Sequence, residues 1–336
     1  MEKTNTNFQT IYIQGRIRPI VRSIINGNVE IQFISEEDSI FNNIKKFQKK
    51  IGLNSYNQSE TIKKTGCIIY TKDEIPSATY NDANCCLDVK GPLEFFGNGR
   101  ALYFFLEYMF ECMQAPYTNS LLIHAAAVYS KVKDKSYLIL GEKGSGKTTV
   151  SFRLCDEFGL SLIGNDLVRV GYDENGELFT KEGSRWFDVR ETAVKADCYM
   201  GKLANMIASE SLNSWNNKTK ILPEDYAIKT NSNQSKIDGI FNIRINSYQN
   251  HFSACKWEGT QRNLILHEKI GRHISGQATP FQDDYGNYLG SLPNINYVKA
   301  SLVRDSIVNC MINMGITELS GPNSQSLMNW FKEEIL

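Results

Sequence analysis

The 336 residues carry 37 Lys and Arg against 37 Asp and Glu, a formal net charge of zero, with a hydrophobic fraction of 41%. That balance excludes the broad electrostatic attraction on which most nucleic-acid binders rely and leaves room for a local basic pocket. The ordinary apolar content is enough for one large core or two smaller ones. No apolar run reaches the roughly 18–20 residues of a membrane span, and Met1 to Asn7 are polar, without the apolar core of an export signal. A cytoplasmic protein that binds neither nucleic acid nor membrane is expected. The eight cysteines include no C-x-x-C pair, and in that compartment they read as reduced core thiols.

In chain order, the first hundred residues read as a mixed α+β region. Ile11 to Ile13, Val29 to Ile34 and Cys67 to Tyr70 are β-prone runs separated by turn residues. Between them Ile40, Phe41, Ile44, Phe47 and Ile51 recur at helical spacing, and 54–60 is polar and loop-like. Gly91-Pro92 and Gly97-Asn98-Gly99 punctuate the chain, which predicts a smaller N-terminal region, 1–97, and a larger one, 98–336. An amphipathic helix is predicted from Arg100 to Gln114, ended by Ala115-Pro116. Leu121 to Tyr129 reads as one strand, Lys131 to Lys135 as a charged turn, and Tyr137 to Leu140 as a short buried strand. A Gly-rich loop, a helix from Lys147 to Phe158 and a strand from Leu160 to Ile163 follow. Leu167 to Gly171 and Glu177 to Thr180 flank Asp173-Glu174-Asn175-Gly176, a hairpin signal. Ile237 to Ile245 alternates like a strand, and Val298 to Ile312 and Ser324 to Ile335 read as helices. The class is α/β.

The segment Gly141-Glu142-Lys143-Gly144-Ser145-Gly146-Lys147-Thr148 fits G-x-x-x-x-G-K-[ST], between a buried strand and an amphipathic helix that Thr149 continues. Its glycines let successive N–H groups turn inward, and with the helix N-terminus they make a site for the α- and β-phosphates of ATP or GTP. Lys147 is expected to reach the β- and γ-phosphates, and Thr148 to offer a hydroxyl to Mg²⁺. Lys143 reads as a phosphate contact or as a solvated surface lysine. Mg²⁺ on a triphosphate needs a carboxylate, and the nearest candidate is Asp166, just past Ile163. That is the C-terminal edge of a strand expected to lie beside the loop strand, where α/β sheets keep their ligands. The plainer alternative is a turn or cap aspartate.

The ordered set His124-Ala125-Ala126-Ala127-Val128, the phosphate loop, and Leu162-Ile163-Gly164-Asn165-Asp166 resembles the HPr kinase-like branch of P-loop kinases. That branch is similar in core fold to phosphoenolpyruvate carboxykinase. The resemblance covers 121–194 and implies a P-loop kinase core behind the smaller N-terminal region. It also implies phosphorylation of a hydroxyl, since relatives act on a serine of a carrier protein or the C-terminal serine of lasso peptides. The acceptor class is therefore a peptide, a protein or a specialised small molecule. In the family an Asp-Asp pair serves the acceptor's proton and the metal, with the histidine nearby. Here the first Asp is Asn165, and an amide takes no proton at neutral pH. Asp166 acts as base with Mg²⁺, or Asp188 does, or positioning alone suffices, because a loose phosphoryl-transfer transition state needs little base help.

Asp188-Val189-Arg190-Glu191-Thr192-Ala193 sits where carrier-protein kinases have an acidic-x-Arg-Gly signature. Arg190 is there to neutralise the transferred phosphate or to make a surface ion pair. His124 reads as a site residue on the resemblance, and otherwise as a hydrogen-bonded strand histidine. Relatives of the branch are often oligomeric, which extends to self-association here by analogy only. Gly271 to Tyr288, and Tyr199 to Lys220, have the composition of an active-site cover or of a plain surface connection. A competing function is a nucleotide-hydrolysing regulatory switch without a phosphoryl acceptor.

Overall fold

The computed structural model describes residues 19–26, 28–41, 61–206, 218–295 and 297–335. The run at Ile11 to Ile13, the polar stretch 54–60 and most of the helix expected after Ile40 lie outside them. Five strands form the first sheet: β1 (Ile20–Asn26), β2 (Val29–Ser35), β3 (Lys64–Lys72), β4 (Ser77–Asn81) and β5 (Cys86–Gly91), in the order β1-β2-β3-β5-β4. Period-two alternation buries Val29, Ile31 and Phe33 of β2 against the helix that follows. One cysteine expectation is overturned. β3 and β5 run parallel with Cys67 and Cys86 as register partners, and the two are joined in a disulfide. Their spacing in sequence hid a pairing that only strand register creates.

A short helix, α1 (Leu93–Phe96), leads into α2 (Arg100–Thr118). α2 runs past Pro116 in its last turn and stops at Asn119, in the left-handed conformation at φ 46°. Its start is capped from far along the chain. The Asp284 carboxylate accepts from the N–H groups of Asn98 (2.7 Å), Gly99 (3.1 Å) and Ala101 (2.7 Å). The segment Gly271 to Tyr288 is therefore anchored, with Phe281 packed against Phe96 and Phe105. A single hydrophobic cluster runs from β2 through α2 into the later helices.

The larger sheet holds β6 (Ser120–Ile123), β7 (Ala126–Ser130), β8 (Lys135–Leu140), β9 (Ser161–Gly164), β10 (Val168–Tyr172), β11 (Leu178–Gly183) and, after the β12 (Phe187–Arg190) and β13 (Lys218–Ile221) ribbon, β14 (Ser235–Ile245). Its order is β6-β10-β11-β14-β8-β7-β9. Two more strands, β15 (Ser253–Lys256) and β18 (Thr317–Gly321), extend it from β14, and β16 (Pro280–Gln282) pairs with β17 (Tyr288–Ser291) separately. Between β8 and β9 runs α3 (Lys147–Phe158), whose Val150, Phe152 and Leu154 join a second core with Phe187, Phe241 and Phe331. The later helices are α4 (Glu191–Ala196), α5 (Thr260–Gly271), α6 (Tyr297–Met314) and α7 (Ser324–Glu334). Among the described residues no helix is long and apolar enough to cross a membrane.

The run expected as one strand, Leu121 to Tyr129, is two. β6 pairs with β10, whereas β7 pairs with β8 and β9, and the chain changes partners at His124-Ala125. β9 is also not the neighbour of β8, because β7 lies between them. A run of apolar residues does not disclose where a strand changes partners.

Beneath β6 and β10 lies a buried ionic group. Arg169 makes two parallel bonds to Glu111, each of 3.0 Å, and a third from Nε to Glu182 at 2.9 Å. Glu111 also accepts from the Leu122 N–H at 2.9 Å. This pairing satisfies charges whose burial would otherwise be costly. Glu107, one turn earlier on α2, lacks such a partner. Burial and then the charge of Glu111 push its carboxyl up to about 8, against the pull of Arg169. His273, 3.9 Å from Glu107, is pushed by burial down to about 4.

An acid held above its unfolded value makes stability fall as pH rises, here from 4.5 to about 8. A histidine held below its unfolded value does the reverse, here from about 4 to 6.5. The slopes oppose each other up to 6.5, and above it the Glu107 slope acts alone. Urea melts are expected to show unfolding free energy falling by about 2 kcal/mol between pH 6.5 and 8. Glu107→Gln should remove the fall; a slope that survives it puts the proton on another group.

Candidate active site

The loop from Gly141 to Gly146 joins β8 to α3. Gly144 and Gly146 are left-handed at φ 87° and 98°, and a Cβ on Gly146 would lie 2.5 Å from Ile245 Cδ1 on β14. Only glycine allows the helix to start so close to the neighbouring strand. The Ser145 carbonyl accepts from the Ile245 N–H at 2.9 Å, which ties the loop to that strand. The Ser145 hydroxyl is buried with no hydrogen-bond partner among the described residues. Glu142, Lys143 and Gly144 are exposed, Thr148 is half-buried and Thr149 is buried.

Lys147 is 7% exposed, and its ammonium donates to the carbonyls of Gly141 (2.9 Å) and Glu142 (3.0 Å). Burial lowers its pKa to about 8; Asp166 and Glu142 resist the shift, while Lys269 and Lys218 add to it. The repulsion from Lys269 and Lys218 is a smaller effect than the burial.

Because β7 is antiparallel to both β8 and β9, its start lies at the same sheet edge as their ends. His124, just before that start, reaches Asp166, just after β9: Nε2 lies 2.8 Å from Oδ1. Asp166 has φ 75°, a left-handed conformation that aspartate tolerates better than most residues. The turn beneath it is tight, since a Cβ on Gly164 would come within 2.7 Å of the Gly183 Cα. Burial opposes ionisation of Asp166, but the hydrogen bond and charge of His124, with Lys218 and Lys147, outweigh it and hold the carboxyl at about 2. Asp166 is thus a fixed negative charge facing a ring and two ammonium groups.

Asn165 points elsewhere. It is fully buried, its Oδ1 accepts from Ser151 of α3 at 3.1 Å, and its Nδ2 donates to the Trp186 carbonyl at 3.4 Å. It braces the loop helix against the chain after β11. Arg190 ends β12 as the register partner of Lys218 on β13, on the flank of the site where Lys218 acts on both Asp166 and Lys147. Asp188 is paired with Lys220 farther down the ribbon. Of the other expected cover, 207–217 lie outside the described residues, and Tyr199 and Lys202 both bond Asp156 of α3.

Two cations of the site carry no motif in the sequence. Lys218 sits in a strand with no motif. Lys269, on α5, forms an ion pair with Glu142 at 2.8 Å, and that contact lowers the pKa of Glu142. No spacing rule links these residues to the loop; only the tertiary fold gathers them.

No family model matches the chain, and no curated protein does. One solved structure to which it is similar is the Hpr(Ser) kinase/phosphatase from Coxiella burnetii, at 17% identity and a TM-score of 0.25. The match takes in 36% of this chain and 58% of that one.

The environment of Asn165 gives a testable outcome. A carboxylate there would keep the bond from Ser151 but face the Trp186 carbonyl without a proton to give. Asn165→Asp is expected to lower stability by about 1–3 kcal/mol in chemical unfolding, without speeding any reaction of the site. A faster variant of undiminished stability would make Asn165 the seat of a lost base.

Proposed function

We propose that the protein is an ATP- or GTP-dependent phosphotransferase that uses Mg²⁺ and acts on a hydroxyl of a peptide, protein or small molecule. The observation that carries this reading is the convergence of two things at one sheet edge. One is a glycine loop whose lysine is buried against its own carbonyls. The other is an ionised Asp166 bonded to His124.

Among the described residues no cluster of three or more His, Cys, Asp or Glu side chains could hold a metal ion by itself. Mg²⁺ at this site would take most of its oxygens from the triphosphate and water, as that ion commonly does. Thr148 and Asp166 are the residues to complete its shell. Bound there, it would neutralise charge on the phosphates.

The chain's own groups account for the remaining roles. Inward N–H groups of the loop and the start of α3 hold the phosphates. Lys147, which bonds only neutral carbonyls, is poised to exchange them for phosphate oxygens. A carboxyl at about 2 is too acidic to be a strong proton acceptor. Asp166 therefore orients the acceptor hydroxyl and the cation, and His124 fixes its direction. Transfer through a loose transition state asks little more of a base. Arg190 and Lys218 flank the place where charge spreads.

Transfer of labelled γ-phosphate to extract fractions tests the reading. Lys147→Ala is expected to lower transfer about 10²-fold or more, and Asp166→Asn to lower transfer more than nucleotide affinity. Acceptor-independent hydrolysis stimulated by a protein partner, with no labelled acceptor, would instead favour a nucleotide-driven switch. A folded protein that takes up no Mg-nucleotide in calorimetry would refute both.

A further inference from the structure

Helix α5 brings a second ammonium to the residue that Lys147 already engages. Lys147 Nζ lies 3.0 Å from the Glu142 carbonyl, and Lys269 Nζ lies 2.8 Å from the Glu142 carboxylate. The two cations come from distant parts of the chain and meet at the second residue of the phosphate loop. Their partners are unequal. The Lys269 side chain is 21% exposed and lies beside the Trp257 ring, whereas that of Glu142 is 74% exposed. An ion pair with one arm so far in solvent is weak and easily opened. Lys269 is thus a largely desolvated cation whose anion is loosely held.

We propose that Lys269 is a second phosphate-binding cation, kept in place by the Glu142 carboxylate until the terminal phosphate of a nucleoside triphosphate displaces it. This rests on the nucleotide-binding reading above and deepens it. Glu142 moves toward solvent at little cost, and Lys269 exchanges one carboxylate for more highly charged phosphate oxygens without leaving its pocket. Lys147 serves the phosphates nearer the helix. Lys269 reads the last one, so it separates triphosphate from diphosphate. Glu142 acts as an internal competitor for the same ammonium.

Calorimetric titration with Mg-ADP and with a Mg-bound non-hydrolysable ATP analogue tests this on four proteins: wild type, Lys269→Met, Glu142→Gln and the double variant. Lys269→Met is expected to weaken the triphosphate analogue about tenfold or more while leaving Mg-ADP nearly unchanged. Glu142→Gln, an exposed substitution that leaves the fold intact, should tighten the analogue, and that gain should vanish in the double variant. Equal losses for both nucleotides, or a Glu142→Gln gain that persists without Lys269, would reduce Lys269 to a brace for the loop and overturn the proposal. Unchanged affinity in Lys269→Met, with normal wild-type binding, overturns it as well and leaves the function standing. A wild type that binds neither nucleotide removes the function and this inference together.

Discussion

The antiparallel insertion of β7 between β8 and β9 is the constraint on which the site depends. Two strands that end at one edge would bring the glycine loop and Asp166 to the same side of the sheet, but a strand's width apart. The intervening strand begins there, and His124 lies two residues ahead of it. Its ring bonds the Asp166 carboxylate at 2.8 Å. Removing the change of partners at His124-Ala125 would leave Asp166 without that partner. Gly164 and Gly183, packed backbone to backbone, permit the tight turn that brings Asp166 round to meet it.

Charge follows from that geometry. Burial pulls the Lys147 ammonium toward neutrality, whereas His124 and the nearby lysines hold the half-exposed Asp166 ionised. Lys218 and Lys269 tip the local balance to positive, although the chain as a whole is neutral.

Much of the loop was legible in sequence, because its signals are local. The left-handed glycines at 146 and 159 bound α3 at the predicted residues, and glycine capping depends on nearest neighbours alone. The hairpin around Asn175-Gly176, strand β14 and the C-terminal helices were legible for the same reason. What required a partner was not. The break at His124 depends on which strands lie on either side. Asn165 looked like a substituted acid, and its buried amide proved to be a structural brace between α3 and Trp186. Glu107 and Glu111 are buried against Arg169 and His273, partners that lie far along the chain. Lys218 and Lys269 have no local mark at all. The Cys67–Cys86 link arises from strand register, which composition cannot specify.

The cap on α2 has a consequence for synthesis on the ribosome. The backbone amides at Asn98, Gly99 and Ala101 wait for a carboxylate that lies 183–186 residues later in the chain. At translation speeds of about 5–20 residues per second, roughly ten to forty seconds separate the emergence of the helix from that of its cap. Through that interval the helix start has only water to satisfy it, and the aromatic face that Phe281 will cover stands open. The amino-terminal sheet therefore completes its packing only after most of the polypeptide has left the exit tunnel.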